Sequence, residues 1–198
     1  MGLKLDYIDG QTPLDEDEKE GLLISTITTR GDLDEFEQLN IEKAHEWFLT
    51  RNFTAEQVLT EEFVKNLHKK MLGDVWHWAG SFRNSNKNIG SDKYVIGIDL
   101  KQLLDDCKYW VEHKTYDEDE IAVRFSHRIV KIHCFPNGNG RHSRMIGDIL
   151  NEKVFKNKQF TWGGANLASA SEIRTKYINA LIAADEGDYS ALLKFVRE

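Results

Sequence analysis

His133-Cys134-Phe135-Pro136-Asn137-Gly138-Asn139-Gly140-Arg141-His142-Ser143-Arg144 interrupts two amphipathic runs, and the reading of that interruption decides the fold. Upstream, Ile121, Phe125, Ile129 and Ile132 recur at helical spacing. Asp117-Glu118-Asp119-Glu120 supplies an N-cap with a glutamate three places on, so the pattern predicts a helix over residues 118–132. Downstream, Met145, Ile146, Ile149 and Leu150 repeat the apolar spacing. Pro136 to Gly140 breaks the first helix, and a second restarts near Arg141. The free amides and positive dipole end of that second helix face a turn of small residues, where an anion approaches the backbone closely. Arg141 and Arg144 lie one helical turn apart and share a face over this nest. Each charge-assisted contact to a phosphate oxygen contributes roughly 1.5–3 kcal/mol, which suits two or three phosphates rather than one. His133 stands at the opposite lip, placed to take a proton from a hydroxyl attacking the bound phosphorus. The helix C-terminus beneath it favours the imidazolium, whereas the facing helix N-terminus and the arginines favour the neutral ring.

The same run resembles the Fic motif, His-x-Phe-x-Asp/Glu-Gly-Asn-Gly/Lys-Arg-x-x-Arg, with His133, Phe135, Gly138, Asn139, Gly140, Arg141 and Arg144 in register. Trp76-His77-Trp78-Ala79-Gly80-Ser81-Phe82-Arg83 looks like the segment leading into the Fic flap, and Gly187-Asp188-Tyr189 like the approach to the last helix. Within the family the chain looks most like the bacterial branch called mobile mystery protein B. The resemblance implies a mainly α, Fic-like helical bundle with a small β-hairpin flap. It implies a nucleotidyltransferase that moves AMP from ATP to a hydroxyl side chain of a target protein. By that analogy His133 is the base, Asn139 and the amides of Gly138 and Gly140 hold the α-phosphate, Arg141 and Arg144 hold the β- and γ-phosphates, and Phe135 anchors the loop in the core. One position departs from the pattern: Asn137 stands where the family usually has a magnesium-holding carboxylate. An amide oxygen ligates Mg2+ more weakly than a carboxylate, so altered metal dependence is expected. Two other readings compete, a Fic-fold kinase or other phosphoryl-group or phosphocholine transferase, and a non-catalytic nucleotide- or partner-binding regulator. A kinase-type P-loop lacks its Gly-Lys-Ser/Thr ending here.

Asn84 to Ile98 is turn-rich, with Tyr94-Val95-Ile96 a short β-favouring run closed by Gly97, and reads as a hairpin. Fic flaps of this kind take a target segment as an added strand, which makes Ile89, Tyr94, Val95 and Ile96 the expected docking residues. Ile89 and Tyr94 fit a core equally well. Fic enzymes are often held off by a Ser/Thr-x-x-x-Glu-Gly helix whose glutamate pairs with the second motif arginine. Thr26-Ile27-Thr28-Thr29-Arg30-Gly31 has that spacing but carries Arg30 in the glutamate's place, and like charges disfavour its docking on Arg144. The segment is expected simply to lead into a helix, and inhibition by a separate antitoxin-like or helix-turn-helix partner protein follows from the resemblance. His127, His133 and His142 lack any standard zinc spacing. His127 is expected as a polar core partner or a neighbour of the site, and His142 as a solvent-facing residue near a ribose or base. Cys107 falls on the apolar stripe of Leu100, Leu103, Leu104, Trp110 and Val111. Cys134 adjoins His133, but adjacent residues at a helix end point apart, which argues against a Cys/His nucleophile.

Bulk properties bound the rest. With 198 residues and 40% hydrophobic content, the chain has enough apolar sequence for one domain, expected over 34–198 after an N-terminal arm over 1–33. Two prolines and caps such as Thr54-x-x-Gln57, Asp99-x-x-Gln102 and Ser169-x-x-Glu172 favour mostly helix, about eight in all. No apolar run is long enough to span a membrane, Met1-Gly2-Leu3-Lys4 lacks a signal-peptide core, and two cysteines fit a reducing cytoplasm. A net charge of -7 argues against general nucleic-acid binding. The implied partners are ATP, Mg2+ and a target protein, and a homo-oligomer is left open.

Overall fold

The computed structural model describes residues 12–164, 167 and 172–198. Among them nine α-helices follow in order: α1 (Glu16–Lys19), α2 (Arg30–Leu49), α3 (Ala55–Val58), α4 (Glu61–Leu72), α5 (Ile96–His113), α6 (Glu118–Ile132), α7 (Asn139–Asp148), α8 (Glu172–Asp185) and α9 (Ser190–Phe195). A π-helical turn, Ile149–Val154, continues α7, and a 3-10 turn spans Trp162–Gly164. The expected helix over 118–132 is α6. It ends where His133 turns left-handed at φ 58°, and three residues later Pro136 rules out resumption before the glycine turn.

Helix α7 packs against α6 on one side and α4 on the other, with α5 behind α6 and α2 behind α4. The motif loop is therefore braced by three helices. Its anchor is Phe135, wholly buried among a core that includes Leu67, Met71, Leu72, Phe125 and Ile146. Burying each such side chain contributes about 1.5–3 kcal/mol, which holds the loop as firmly as the helices around it.

Several expectations shift at the element level. No strand forms among the described residues; the pairing there is an isolated bridge between Leu22 and Trp76. Tyr94-Val95-Ile96 is not extended. The Tyr94 amide donates to Asp92 Oδ1, the Val95 amide to the Asp92 carbonyl, and Ile96 opens α5. The reason is the buried stripe of Ile96, Leu100, Leu103, Leu104 and Cys107, whose helical period extends two turns beyond any local β preference. Asp99 consequently lies inside the first turn of α5 rather than capping it, and accepts the Ser91 hydroxyl at 2.5 Å. The Thr54/Gln57 capping box is present but opens the four-residue α3, and Ser169 lies outside the described residues. Thr29 and Asp32 form a reciprocal capping box, so α2 starts at Arg30 and the expected domain boundary near residue 34 falls within it. Leu14, Ile27 and Leu33 are buried in the common core, which makes the described part of the arm a packed segment.

Candidate active site

His133 is the last residue of α6's C-terminal turn, and its left-handed backbone turns the ring toward the loop. Gly90 packs so closely against it that a Cβ there would stand 2.6 Å from the His133 Cβ. Burial, with Arg83 and Lys87 nearby, pushes the imidazole down to about 4, while the Val130 backbone partly offsets this. The competition left open by the helix ends is thus decided for the neutral ring at pH 7. His133 Nε2 lies 3.1 Å from the Thr12 hydroxyl. When Nε2 accepts, the ring proton sits on Nδ1, which is buried without a well-formed hydrogen bond.

Asn139 opens α7 but does not offer its amide to a ligand. Its Oδ1 accepts the Phe135 amide at 2.9 Å and its Nδ2 donates to the Phe135 carbonyl at 2.7 Å, so the side chain ties the loop into a closed ring. Gly138, at φ 78°, is the N-cap and provides no side-chain cap. The first-turn amides of a ten-residue helix therefore face the loop, as the anion nest requires. A side chain at Gly138 would meet Leu72 Cδ1 at 2.6 Å.

The two arginines diverge. Arg141 forms a 2.6 Å ion pair with Glu37, a buried α2 carboxylate that also accepts the Trp76 indole N–H at 2.6 Å. Among the described residues Arg144 makes no ion pair; its guanidinium stands 5.6 Å from the centre of the Tyr177 ring. Arg144 is accordingly the more available cation for a phosphate, while Arg141 retains the donors that Glu37 leaves unused.

Asn137 accepts the Gly138 amide on Oδ1 at 2.6 Å and donates from Nδ2 to the Thr12 carbonyl at 3.2 Å. Its oxygen is thus committed to the loop, and no cluster of three His, Cys, Asp or Glu suited to a metal exists among the described residues. The site does not fit a magnesium ion held by the protein itself.

Three residues missing from the motif hold the site together. Arg83, buried, donates from Nε to the His133 carbonyl at 2.6 Å, from Nη1 to the Ser85 carbonyl at 2.8 Å, and from Nη2 to the Ser91 carbonyl. With the Arg83 amide on the Cys134 carbonyl and the Ser91 amide on the Ile132 carbonyl, segment 84–91 is stapled to the base. His68 of α4 stacks on Phe135 at 3.7 Å, donates from Nε2 to the Asn137 carbonyl at 3.0 Å and accepts the Gly80 amide on Nδ1. Lys87, its side chain nearly inaccessible, reaches Asp15 at 2.8 Å and Glu18 at 2.6 Å. Long sequence separation hides these contacts from any local pattern.

Other candidates settle into the core. His142 is not solvent-facing: it is buried, donating from Nε2 to the Val64 carbonyl at 3.0 Å, because α7 is covered by α4 on that side. His127 is the expected polar core partner, between Tyr189 and Asp185. Burial pushes the Cys107 and Cys134 thiols up to about 12, so neither is a thiolate nucleophile. Arg30 pairs with Asp34 at the start of α2, and the Thr26–Gly31 stretch leads into that helix as expected. In the flap region Tyr94 is 81% exposed and Ile89 49%, with Val95 at the edge of exposure, whereas Ile96 is buried and faces the core.

Residues 58–150 match the Fic/DOC family. The chain carries a Fic/DOC domain. The bundle is similar to BepC from Bartonella tribocorum, solved with bound AMPPNP, at a TM-score of 0.68 and 16% identity, covering 92% of this chain and 97% of that one. It is similar to Fic-1 from C. elegans at a TM-score of 0.65 and 19% identity, covering 90% of this chain and 50% of that one. In sequence it is 24% identical over 166 residues to the protein adenylyltransferase Fic of Aedes aegypti, and 27% identical over 144 residues to that of Drosophila melanogaster. Those alignments cover 82% and 71% of this chain but 32% and 28% of the relatives, so the chain spans about a third of their length. Within the matched segment, Arg83, His68 and Lys87 brace the motif loop.

Proposed function

We propose that the protein is an adenylyltransferase, moving AMP from ATP to a hydroxyl side chain of a target protein. One observation carries this reading: a neutral His133 presents Nε2 to a hydroxyl at 3.1 Å, beside the uncapped N-terminus of α7. Its relatives named protein adenylyltransferase support the choice of donor, as does the likeness to a fold solved with an ATP analogue. In the reaction the acceptor oxygen attacks the α-phosphorus, His133 Nε2 takes its proton, and the bond to pyrophosphate breaks with the electron pair leaving on pyrophosphate. The backbone amides of Asn139 and Gly140 would stabilise charge on the α-phosphate, the Gly138 amide being held by Asn137 Oδ1, and Arg144 with the free donors of Arg141 would hold the departing phosphates. Asn139 acts through the loop, keeping those amides in place. Ile89, Tyr94 and Val95, with the exposed Ile98 of α5, offer the apolar rim on which a target segment would rest.

Magnesium, in this reading, is carried to the site by the triphosphate. The bacterial, cytoplasmic toxin-like setting and the antitoxin-like partner belong to the same proposal, supported by the branch resemblance alone. No helix among the described residues is long and apolar enough to cross a membrane. The test is incubation of the protein and a lysate with ATP labelled separately at the α- and γ-phosphates, with His133→Ala as control. Label from the α-phosphate alone, lost in His133→Ala while nucleotide still binds, is the expected result. Label from γ alone would mean phosphorylation, and equal loss of binding and transfer would remove His133 as base.

A further inference from the structure

The residue that touches the base belongs to the chain itself. Thr12 is buried, 121 positions from His133, and its hydroxyl is the group at 3.1 Å from Nε2, within the distance at which a base takes a proton. Nor is it a chance brush of a loose end. The Thr12 carbonyl accepts Asn137 Nδ2 at 3.2 Å, directly on the motif loop. Pro13 and Asp15, just beyond Thr12, are clamped to the 84–91 segment: Lys87 Nζ approaches the Pro13 carbonyl at 3.5 Å and pairs with Asp15, while Asp15 also accepts the Ser85 hydroxyl at 2.5 Å. Glu18 on α1 completes the grip on Lys87. The Lys87–Glu18 pair is buried on both sides, 3% and 6% exposed, and little screened by solvent, whereas Asp15 is half exposed. The N-terminal segment thus lies along Ser85 and Lys87 of the flap and presents a hydroxyl to the base.

We propose that Thr12 is a cis modification site, an acceptor that the protein labels on itself. This rests on the adenylyl-transfer reading given above. The Thr12 oxygen forms a bond to the α-phosphorus of ATP, its proton passes to His133 Nε2, and pyrophosphate leaves with the electrons of the broken phosphoanhydride bond. Because the same base serves every acceptor, Thr12 also excludes a target hydroxyl for as long as the Lys87 clamp holds. Modification in cis is therefore in competition with modification of a target.

The test uses the full chain with magnesium and ATP, followed by peptide mass spectrometry, over a range of protein concentrations, with a lysate labelled in parallel by the same preparation. The expected result is one AMP on Thr12, acquired at a rate constant independent of protein concentration. It is retained in Thr12→Ser and lost in Thr12→Val, a nearly isosteric change that removes the hydroxyl. Lys87→Met should slow labelling of Thr12 by roughly 10–100-fold, the loss expected when a reacting group is no longer held in line, and should raise labelling of lysate proteins. Lysate proteins labelled while Thr12 stays unmodified would overturn the proposal and leave the transferase reading standing. A Thr12 rate proportional to protein concentration, or AMP only at another position, would also overturn it. No label on any protein would remove both.

Discussion

Asn139 spends both ends of its amide on the Phe135 backbone, and that single fact changes what its mutation should do. In Asn139→Ala a buried N–H and a buried carbonyl lose their partners together, each costing about 1–3 kcal/mol. The variant should be less stable by roughly 2–5 kcal/mol in urea or thermal melts. Asn139→Asp, which keeps the acceptor and loses the donor, should fall between. An Asn139→Ala protein that melts like the wild type but has lost affinity for ATP would instead put the side chain on phosphate. The sequence shows that an asparagine belongs here, since the glycine turn and the arginines fix the motif's register. It does not show which way the amide faces, because loop-tying and phosphate-holding need the same residue at the same spacing. Arg83 and Thr12 were less legible still. Their partners lie 50 and 121 positions away, and although Arg83 ends the stretch that resembles the approach to the flap, nothing local marks either residue as touching His133.

At the scale of elements, α6 could be read from sequence to the residue, because its cap, its apolar period and its glycine-rich stop all agree. The flap could not, since Tyr94-Val95-Ile96 satisfies a β preference over three residues while the stripe from Ile96 to Cys107 satisfies a helical one over twelve. The longer pattern wins because it buries a full helix face. What fixes the flap is its side-chain staple and its close approach to the base at Gly90. Gly90 sits at φ 101°, and a Cβ there would stand 2.6 Å from the His133 Cβ and 3.0 Å from the Ile132 carbonyl. Neither neighbour is a flexible chain end, so Gly90→Ala must lift the flap or displace the imidazole. The expected outcome is a fall in transfer rate of roughly 10–100-fold with ATP affinity preserved, since the nest lies on the far side of the loop. Measuring ATP affinity by titration beside the transfer rate separates the two. A variant with normal transfer would show that the 84–91 segment does not govern the base.

Across the whole molecule, four buried histidines and one buried aspartate set the dependence of stability on pH. Burial lowers His133 and His142 to about 4 and holds His127 and His68 below the ordinary value, His68 well below it with His142 adding to the effect. A histidine lowered in the folded state binds fewer protons there than in the unfolded chain. Its contribution is complete above pH 6.5 and is lost as pH falls toward 4. Asp148 acts in the opposite sense: burial raises it to about 7 against the Trp162 indole N–H and the Arg144 charge, so ionising it in the fold costs stability as pH rises from about 4 to 7. Because the histidines are several and the aspartate is one, the acid limb should dominate, with stability falling steeply below pH 6. The aspartate's share can be isolated. Asp148→Asn keeps an oxygen for Trp162 Nε1, 2.9 Å away, and removes the titration. The variant should gain little at pH 4 and progressively more up to pH 8, where the gain is on the order of a few kcal/mol. Melting temperatures of the two proteins measured at half-unit steps from pH 4 to 8 test this. A gain that is the same at every pH would mean that Asp148 is ionised throughout, paired in the fold with Arg144, and that Arg144 is then less available for a phosphate than its lack of an ion pair indicates.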